Sequence, residues 1–306
     1  MSMPASRPMV VGRFAPSPTG SLHVGSLVAA AGSYCLARQA GGLWLVRMED
    51  LDIPRVVPGA AEGILRTLEE MGMHWDGDVV YQSRRAAAYE AAVDRLQERG
   101  LIFPCACSRR EILASAPHPG EEGPVYSGTC RHGLPPGRDP RSLRIRVPSS
   151  GVCFTDGILG EQEQVLANAV GDFVLRRADG LFAYQLAVVV DDAEAGVNQV
   201  VRGADLVGST PRQIYLHSCL GLPVPAYIHL PLAVSATGEK ISKRDGIGEI
   251  AIPGRSILWQ VLSFLGQEPP KKLAAAPNRE VLDWGVNNFS LPRVPKQIQQ
   301  PWGSAG

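Results

Sequence analysis

Two short segments, far apart in the chain, carry residues suited to handling a nucleotide phosphate. The first runs Arg13-Phe-Ala15-Pro16-Ser17-Pro-Thr-Gly20-Ser-Leu-His23-Val-Gly25-Ser26. It reads as a strand, a Pro/Gly turn and the opening of a helix. Backbone N–H groups at a helix N-terminus lack partners, and the helix dipole is positive there, so phosphate oxygens are favoured at that point. Gly25 would let a nucleotide approach the backbone with no Cβ in the way. The second segment, Lys240-Ile-Ser-Lys243-Arg244, places three cations within five residues, after Thr237-Gly238. Cations of that kind suit the charge that grows on a departing pyrophosphate. Either segment alone is an ordinary turn or a solvated loop. In this order they predict an ATP site assembled from both ends of one α/β domain, with His23, Lys240 and Lys243 as the catalytic cations and donors.

A third constellation is Cys105-Ala-Cys107 followed by Tyr126 and Cys130. Three thiolates and one nitrogen or oxygen close a tetrahedral zinc site. By chemistry alone His132 is the natural fourth ligand, since imidazole binds zinc far more commonly than phenol does. The plainer reading is three buried thiols. Cys35, Cys153 and Cys219 stand apart from this cluster and read as small core residues.

These residues need elements to position them. Met9 to Ala15 and Leu43 to Met48 are rich in apolar and β-branched residues and read as buried strands. Between them Val24, Leu27, Val28, Ala31 and Cys35 fall on one helical face, and Gly41-Gly42 ends the helix. A β–α–β unit implies parallel strands and a right-handed crossover. Further helices are expected over about 60–71 and 85–99, the latter with Tyr89, Ala92, Val93 and Leu96 inward. From residue 103 to about 150 the texture turns to Cys, Pro, Gly and Arg with little periodicity, as in an insertion. Leu143 to Val147 alternates like a strand with one wet face. Tyr184 to Val190 reads as a return to a buried sheet strand, Ile214 to Leu220 as a helix, and the last few residues from Gln299 as a loose tail. The expected organisation is 1–103 and 184–250 as two halves of a nucleotide-binding fold, 104–183 as an insertion, and 251–306 as a short helical C-terminal part.

Composition permits this and excludes little else. The 306 residues, 45% hydrophobic and 20% charged, are those of an ordinary globular chain. Thirty basic against thirty acidic residues leave a formal net charge of +0. A nucleic-acid partner therefore cannot be argued from global charge, only from local clusters. Candidates are Arg109-Arg110, the series Arg138, Arg141, Arg144 and Arg146, and Arg176-Arg177, each more often a solvated face. The N-terminus lacks the apolar core of a signal peptide, and no apolar run approaches the roughly 20 residues of a membrane span. A soluble, cytoplasmic monomer with no membrane partner is expected.

The motifs together resemble a known family. Pro16 to Ser26 is similar to the HIGH signature of class I aminoacyl-tRNA synthetases in its glutamyl form, and Lys240 to Arg244 to their KMSKS loop. Arg47-Met-Glu-Asp-Leu-Asp52, Tyr184-Gln-Leu-Ala-Val-Val-Val-Asp-Asp192, Val201-Arg-Gly-Ala-Asp205 and Thr210-Pro-Arg-Gln213 extend the likeness over about residues 10 to 250. Arg-Gly-Ala-Asp-Leu and the long small-residue helix after His23 resemble most the glutamyl-queuosine tRNA(Asp) synthetases, a shortened branch of that family. Only residues 245–306 follow Arg244, too few for the anticodon-binding region of full-length glutamyl enzymes.

The resemblance implies an α/β class I synthetase fold, a parallel Rossmann-type sheet split by a zinc-bearing insertion. It implies ATP and Mg²⁺ as reactants and glutamate as the activated amino acid, transferred to queuosine in tRNA(Asp). ATP would lie against Pro16, Ser17, Gly20, His23, Gly25, Ser26 and Lys243. Glutamate would lie against Arg13, Ala15, Ser17, Glu49, Tyr184 and Arg202, with the two arginines on its carboxylates and Glu49 toward its amino group. Arginine suits this because its fork pairs bidentately with a carboxylate. A braced ion-pair network through Arg47 and Asp50 is the structural alternative. For the metal, the family's tyrosine four residues before the last cysteine corresponds to Tyr126, while a Cys-x-His ending in some glutamyl enzymes matches Cys130-Arg-His132. Rival functions are a truncated synthetase charging tRNA(Glu), an adenylate-forming amide ligase acting on a small amine, and a zinc-bearing tRNA-binding protein without catalysis.

Overall fold

The computed structural model describes residues 8–120, 123–235, 237–239, 241 and 254–303. Strand β1 (Val11–Phe14), helix α1 (Val24–Gln39) and strand β2 (Leu43–Met48) form the β–α–β unit, with β1 and β2 parallel and Arg13 opposite Leu45. The five apolar positions read from the spacing of α1 are all buried. So are Ala30, Gly32 and Ser33 on its other faces. They are small because α1 is wedged between the sheet and the C-terminal helices Ile257–Phe264 and Asn278–Asn288. Helix α2 (Ala60–Glu70), strand β3 (Val80–Tyr81) and helix α3 (Ala86–Glu98) follow. Tyr89, Ala92, Val93 and Leu96 are the buried stripe of α3, at the spacing an amphipathic helix requires.

The next stretch leaves the main sheet. Strand β4 (Ile102–Cys105) is followed by helix α4 (Arg109–Ser115), the short pair β5 (Pro119–Gly120) and β6 (Gly123–Pro124), and strand β7 (Ser142–Ile145). Strands β8 (Gly151–Asp156) and β9 (Gly160–Val165) form a hairpin, and helix α5 (Leu166–Ala169) leads to β10 (Val174–Arg176). Strands β4, β7 and β10 make a small antiparallel sheet. The chain then returns through α6 (Tyr184–Glu194), β11 (Gln199–Gly203), α7 (Thr210–Leu220), β12 (Ala226–Leu230) and β13 (Leu232–Val234). A last strand, β14 (Gln299–Pro301), pairs with β13.

The central sheet has the order β12–β11–β1–β2–β3, with every neighbouring pair parallel. Its middle strands β11, β1 and β2 therefore end on the same side, and the crevice beyond the carboxyl ends of parallel strands is where such sheets bind ligands. Among the described residues no helix is long and apolar enough to cross a membrane.

Four expectations are corrected. Tyr184 to Val190 is the first part of helix α6, not a sheet strand. Buried on nearly every side, from Gln185 to Asp192, it shows no amphipathic period. The segment from Gln299 is not loose: β14 is held in register with β13, and the Trp302 amide donates to the Val234 carbonyl at 2.8 Å. Arg144 does not face water. It is buried, lies 4.0 Å from the Tyr126 ring centre and donates to the Asp172 carbonyl. Cys35 and Cys219 are buried as expected, but Cys153 is exposed on the hairpin.

Candidate active site

The turn after β1 and the start of α1 build one wall of a cavity of about 390 Å³. His23 is the N-cap of α1, and its Nδ1 accepts from the Ser26 N–H at 3.4 Å. With Nδ1 an acceptor, the neutral ring carries its proton on Nε2. Gly25 is required by the same arrangement: a Cβ there would lie 3.0 Å from His23 Cε1 and 3.1 Å from Nδ1. Gly20 has φ 135°, a conformation that side chains rarely adopt, and it turns the chain toward the helix. Pro16, Ser17, Gly20, His23, Gly25 and Ser26 all line the cavity.

The floor of the cavity is charged. Arg13 near the end of β1, Glu49 just after β2, Tyr184 at the start of α6 and Arg202 on β11 line it, with Ala15 beside them. Arg13 is held by long contacts, Nε to Asp192 at 3.4 Å and Nη1 to the Val201 carbonyl at 3.4 Å. Arg47 makes the tight partner of Asp192 at 2.5 Å and reaches Glu49 at 3.3 Å. Burial would raise the Asp192 carboxyl, but Arg47 and Arg13 outweigh it and hold the group below the usual carboxylate range. For Glu49 burial wins over the same two arginines, and its pKa is raised. Burial, reinforced by Glu49, also raises the Tyr184 phenol. Asp50 is not in this network, contrary to the bracing expected between it and Arg47. It accepts from the Ser83 N–H and hydroxyl instead.

Arg202 is different in kind. It is 4% exposed, and its partners are neutral: Gln213 Oε1 at 2.8 Å, Thr210 Oγ1 at 2.8 Å, His229 Nε2 at 3.1 Å and the Leu206 carbonyl at 3.3 Å. Among the described residues it makes no ion pair. A buried cation held by dipoles, with no counter-charge, is suited to receiving an anionic group from the cavity.

In the insertion, the Cys105, Cys107 and Cys130 sulfurs all lie within 4.8 Å of one another, and Cys107 and Cys130 are 3.7 Å apart. Tyr126 Oη lies 3.5 Å from the Cys105 sulfur and 4.0 Å from that of Cys107, and it accepts from the Cys130 N–H at 2.7 Å. Tetrahedral zinc, with bonds of about 2.3 Å to sulfur and about 2.0 Å to oxygen, separates two sulfurs by about 3.8 Å and sulfur from oxygen by about 3.5 Å. The 3.7 Å separation of the Cys107 and Cys130 sulfurs and the 3.5 Å separation of Tyr126 Oη from the Cys105 sulfur match those distances. His132 is exposed and does not join the cysteine group. Ser108 caps α4 through a reciprocal box with Glu111, which fixes the chain as it leaves Cys107.

Thus Arg13, Ala15, Pro16, Ser17, Gly20, His23, Gly25, Ser26, Glu49, Tyr184 and Arg202 meet in one cavity, and the cysteines with Tyr126 form a separate cluster. Lys240 and Lys243 lie outside the described residues. Sequence reasoning missed Asp205 as a lining residue. It also missed Asp192, which steadies Arg13 and Arg47, and the acceptors Gln213, Thr210 and His229 around Arg202. Gln213 and Thr210 stand in the segment Thr210-Pro-Arg-Gln213, whose two end residues, three positions apart on a helix, face one way. His229 had no local signal.

Residues 9–251 match the family described as tRNA synthetases class I (E and Q), catalytic domain. The glutamyl-Q tRNA(Asp) synthetase of Geobacter sulfurreducens is 56% identical over 304 residues, covering 96% of this chain and 97% of that protein. The glutamyl-Q tRNA(Asp) synthetase of Dechloromonas aromatica is 55% identical, covering 94% and 96%. Among solved structures, the glutamate-tRNA synthetase of Elizabethkingia anophelis superposes with TM-score 0.81 at 26% identity, covering 97% of this chain and 68% of that one. A glutamate tRNA ligase of Elizabethkingia meningosepticum in complex with its amino acid gives 0.79 at 26% identity, covering 97% and 67%. The chain belongs to the class I tRNA synthetases (E and Q), in the group of the glutamyl-Q tRNA(Asp) synthetases.

Proposed function

We propose that the protein activates glutamate with ATP to glutamyl-adenylate and transfers the glutamyl group to queuosine at the wobble position of tRNA(Asp). The observation that carries this is the pairing of two buried arginines, Arg13 and Arg202, in the same cavity as Glu49 and a histidine-capped helix start. A dicarboxylic amino acid presents two carboxylates and one ammonium, and the cavity offers two cations and one carboxylate. Arg13 and Arg202 take the carboxylates, Glu49 faces the ammonium, and Tyr184 borders the side chain. In the first step a carboxylate oxygen attacks the α-phosphorus and pyrophosphate leaves. Positioning and charge neutralisation dominate such a step, since little covalent chemistry falls to the protein. His23 donates from Nε2 to a phosphoryl oxygen, and Pro16, Ser17, Gly20, Gly25 and Ser26 let the nucleotide lie against the helix start. Lys243, with Lys240, neutralises the leaving pyrophosphate. In the second step a hydroxyl of the cyclopentene-diol attacks the adenylate carbonyl and AMP leaves.

Mg²⁺, when bound with ATP, supplies further charge neutralisation on the phosphates. Cys105, Cys107, Cys130 and Tyr126 would hold a structural zinc ion that ties the insertion together. In this reading residues 1–103 and 184–250 are the two halves of the nucleotide-binding fold, 104–183 the insertion and 251–306 the C-terminal part. The protein works as a cytoplasmic monomer, where ATP and tRNA are found. Pyrophosphate exchange into ATP tests the first step. Exchange should depend on glutamate and fail with glutamine and aspartate. Exchange with glutamine at a comparable rate would overturn the charge pairing at Arg202.

A further inference from the structure

The polar contacts of Arg202 continue beyond its own shell. His229 on β12 accepts from Arg202 Nε through its Nε2, at 3.1 Å. The other ring nitrogen, Nδ1, lies 2.7 Å from Asp156 Oδ2. Asp156 ends β8, in the hairpin of the insertion, and all three side chains are buried. The second carboxylate oxygen of Asp156 is already engaged. Oδ1 accepts from the backbone N–H groups of Ile158 and Leu159, each at 2.9 Å, and of His229 at 3.4 Å.

His229 Nε2 also lies 3.2 Å from the Thr210 hydroxyl, and the Arg202 N–H aimed at it selects one arrangement of protons. Asp156 accepts from Nδ1–H, so His229 keeps its Nε2 lone pair for the Arg202 N–H. The other tautomer, or the imidazolium, would aim an N–H at the guanidinium and lose the acceptor. Burial pushes the His229 pKa down, against the upward pull of Asp156, in the direction of the neutral ring.

We propose that Asp156 and His229 are positioning residues for substrate recognition: Asp156 fixes the His229 tautomer, and His229 fixes the Arg202 guanidinium that pairs with a substrate carboxylate. This deepens the reading above and rests on it. It also gives the insertion a share in amino-acid selection, because the carboxylate that starts the chain belongs to its hairpin.

The test uses the full protein, with glutamate-dependent pyrophosphate exchange as the readout. Asp156→Asn is nearly isosteric, and the three backbone donors on Oδ1 dictate that the amide oxygen stays there. The NH2 then faces His229 Nδ1 and forces the wrong tautomer. The KM for glutamate should rise about 10- to 100-fold, the worth of a hydrogen bond to a charged group. The KM for ATP should stay within about twofold, and discrimination against glutamine should fall. His229→Leu should do the same. His229→Gln can donate to Asp156 and accept from Arg202 at once, so it should restore the glutamate KM to within about fivefold of the original, on the same scale. A folded Asp156→Asn protein with unchanged glutamate KM would overturn the proposal. So would equal rises in the KM for glutamate and ATP, or a His229→Gln protein as impaired as His229→Leu. If the unaltered protein shows no glutamate-dependent exchange, the failure lies with the proposed function and not with this relay.

Discussion

Gly25→Ala separates stability from catalysis at the mouth of the cavity. Gly25 is the second residue of α1, with a backbone any residue adopts, so alanine fits the helix. Replacing glycine by alanine inside a helix gains up to about 1 kcal/mol, less near the end, so Tm should stay level or rise by about 1–2 °C. The new Cβ would lie 3.0 Å from His23 Cε1 and 3.1 Å from Nδ1, closer than such contacts normally come. The ring must give way by a few tenths of an ångström, which strains its long 3.4 Å hydrogen bond with the Ser26 N–H. Displacement of a reacting group by about 1 Å costs on the order of 100-fold, so a shift of this size should lower the exchange rate about 10-fold. The assay is glutamate-dependent pyrophosphate exchange beside a thermal melt. In a His23→Ala background the added Gly25→Ala change should cost almost nothing, since the group it displaces is gone. Full activity of a folded Gly25→Ala protein would refute the reasoning. A full additive loss in the double variant would show that the Cβ acts on the nucleotide and not on His23.

Three further outcomes follow from the charges and thiols. Lys243→Ala should depress exchange by about 100-fold or more while the fold is retained, the effect of removing one charge-stabilising donor, and near-normal exchange would remove Lys243 from the mechanism. Elemental analysis should find about one zinc per chain, lost in Cys105→Ser/Cys107→Ser and weakened in Tyr126→Phe but not in His132→Ala. Full zinc in the double cysteine variant would exclude the site. Asp192→Asn should cost about 3–5 kcal/mol at neutral pH, because it leaves Arg47 and Arg13 buried without their shared carboxylate. The Asp192 pKa is depressed in the fold, so its contribution is present above the unfolded value of about 4 and is lost as pH falls through the folded value. The stability gap between the two proteins, measured by denaturant melts, should therefore narrow in acid. A gap independent of pH would contradict this assignment.

The site was legible where function and local structure coincide in a short segment. The turn from Arg13 to Ser26 announces itself because prolines, glycines and a histidine must stand in order to make a strand, a bend and a helix start. The β–α–β unit was legible from the spacing of Val24, Leu27, Val28, Ala31 and Cys35. Helix α6 was not, because a helix buried on all sides loses its period and a run of valines imitates a strand. Strand β14 was not, since Gln-Gln-Pro carries no apolar pattern and only the edge offered by β13 makes it a strand. Arg144 broke the rule that alternating charge faces water, because the Tyr126 ring and the Asp172 carbonyl receive it. Behind Arg202 stands His229, whose partner Asp156 lies 73 positions away in the chain, and no window along the sequence joins them. By chemistry alone His132 ranks above Tyr126 as a ligand, yet the fold leaves His132 exposed and sets the Tyr126 hydroxyl beside the cysteines.

The position of the label decides whether glutamate is transferred to queuosine. Radiolabelled glutamate and ATP would be offered with tRNA(Asp) containing queuosine, with tRNA(Asp) lacking it, and with tRNA(Glu). Nuclease digestion would then map the adduct. Label should appear only on the first of these, within the anticodon loop, and prior periodate oxidation of the queuosine diol should abolish it. Label at the 3′-terminal adenosine of tRNA(Glu) would contradict the assigned acceptor.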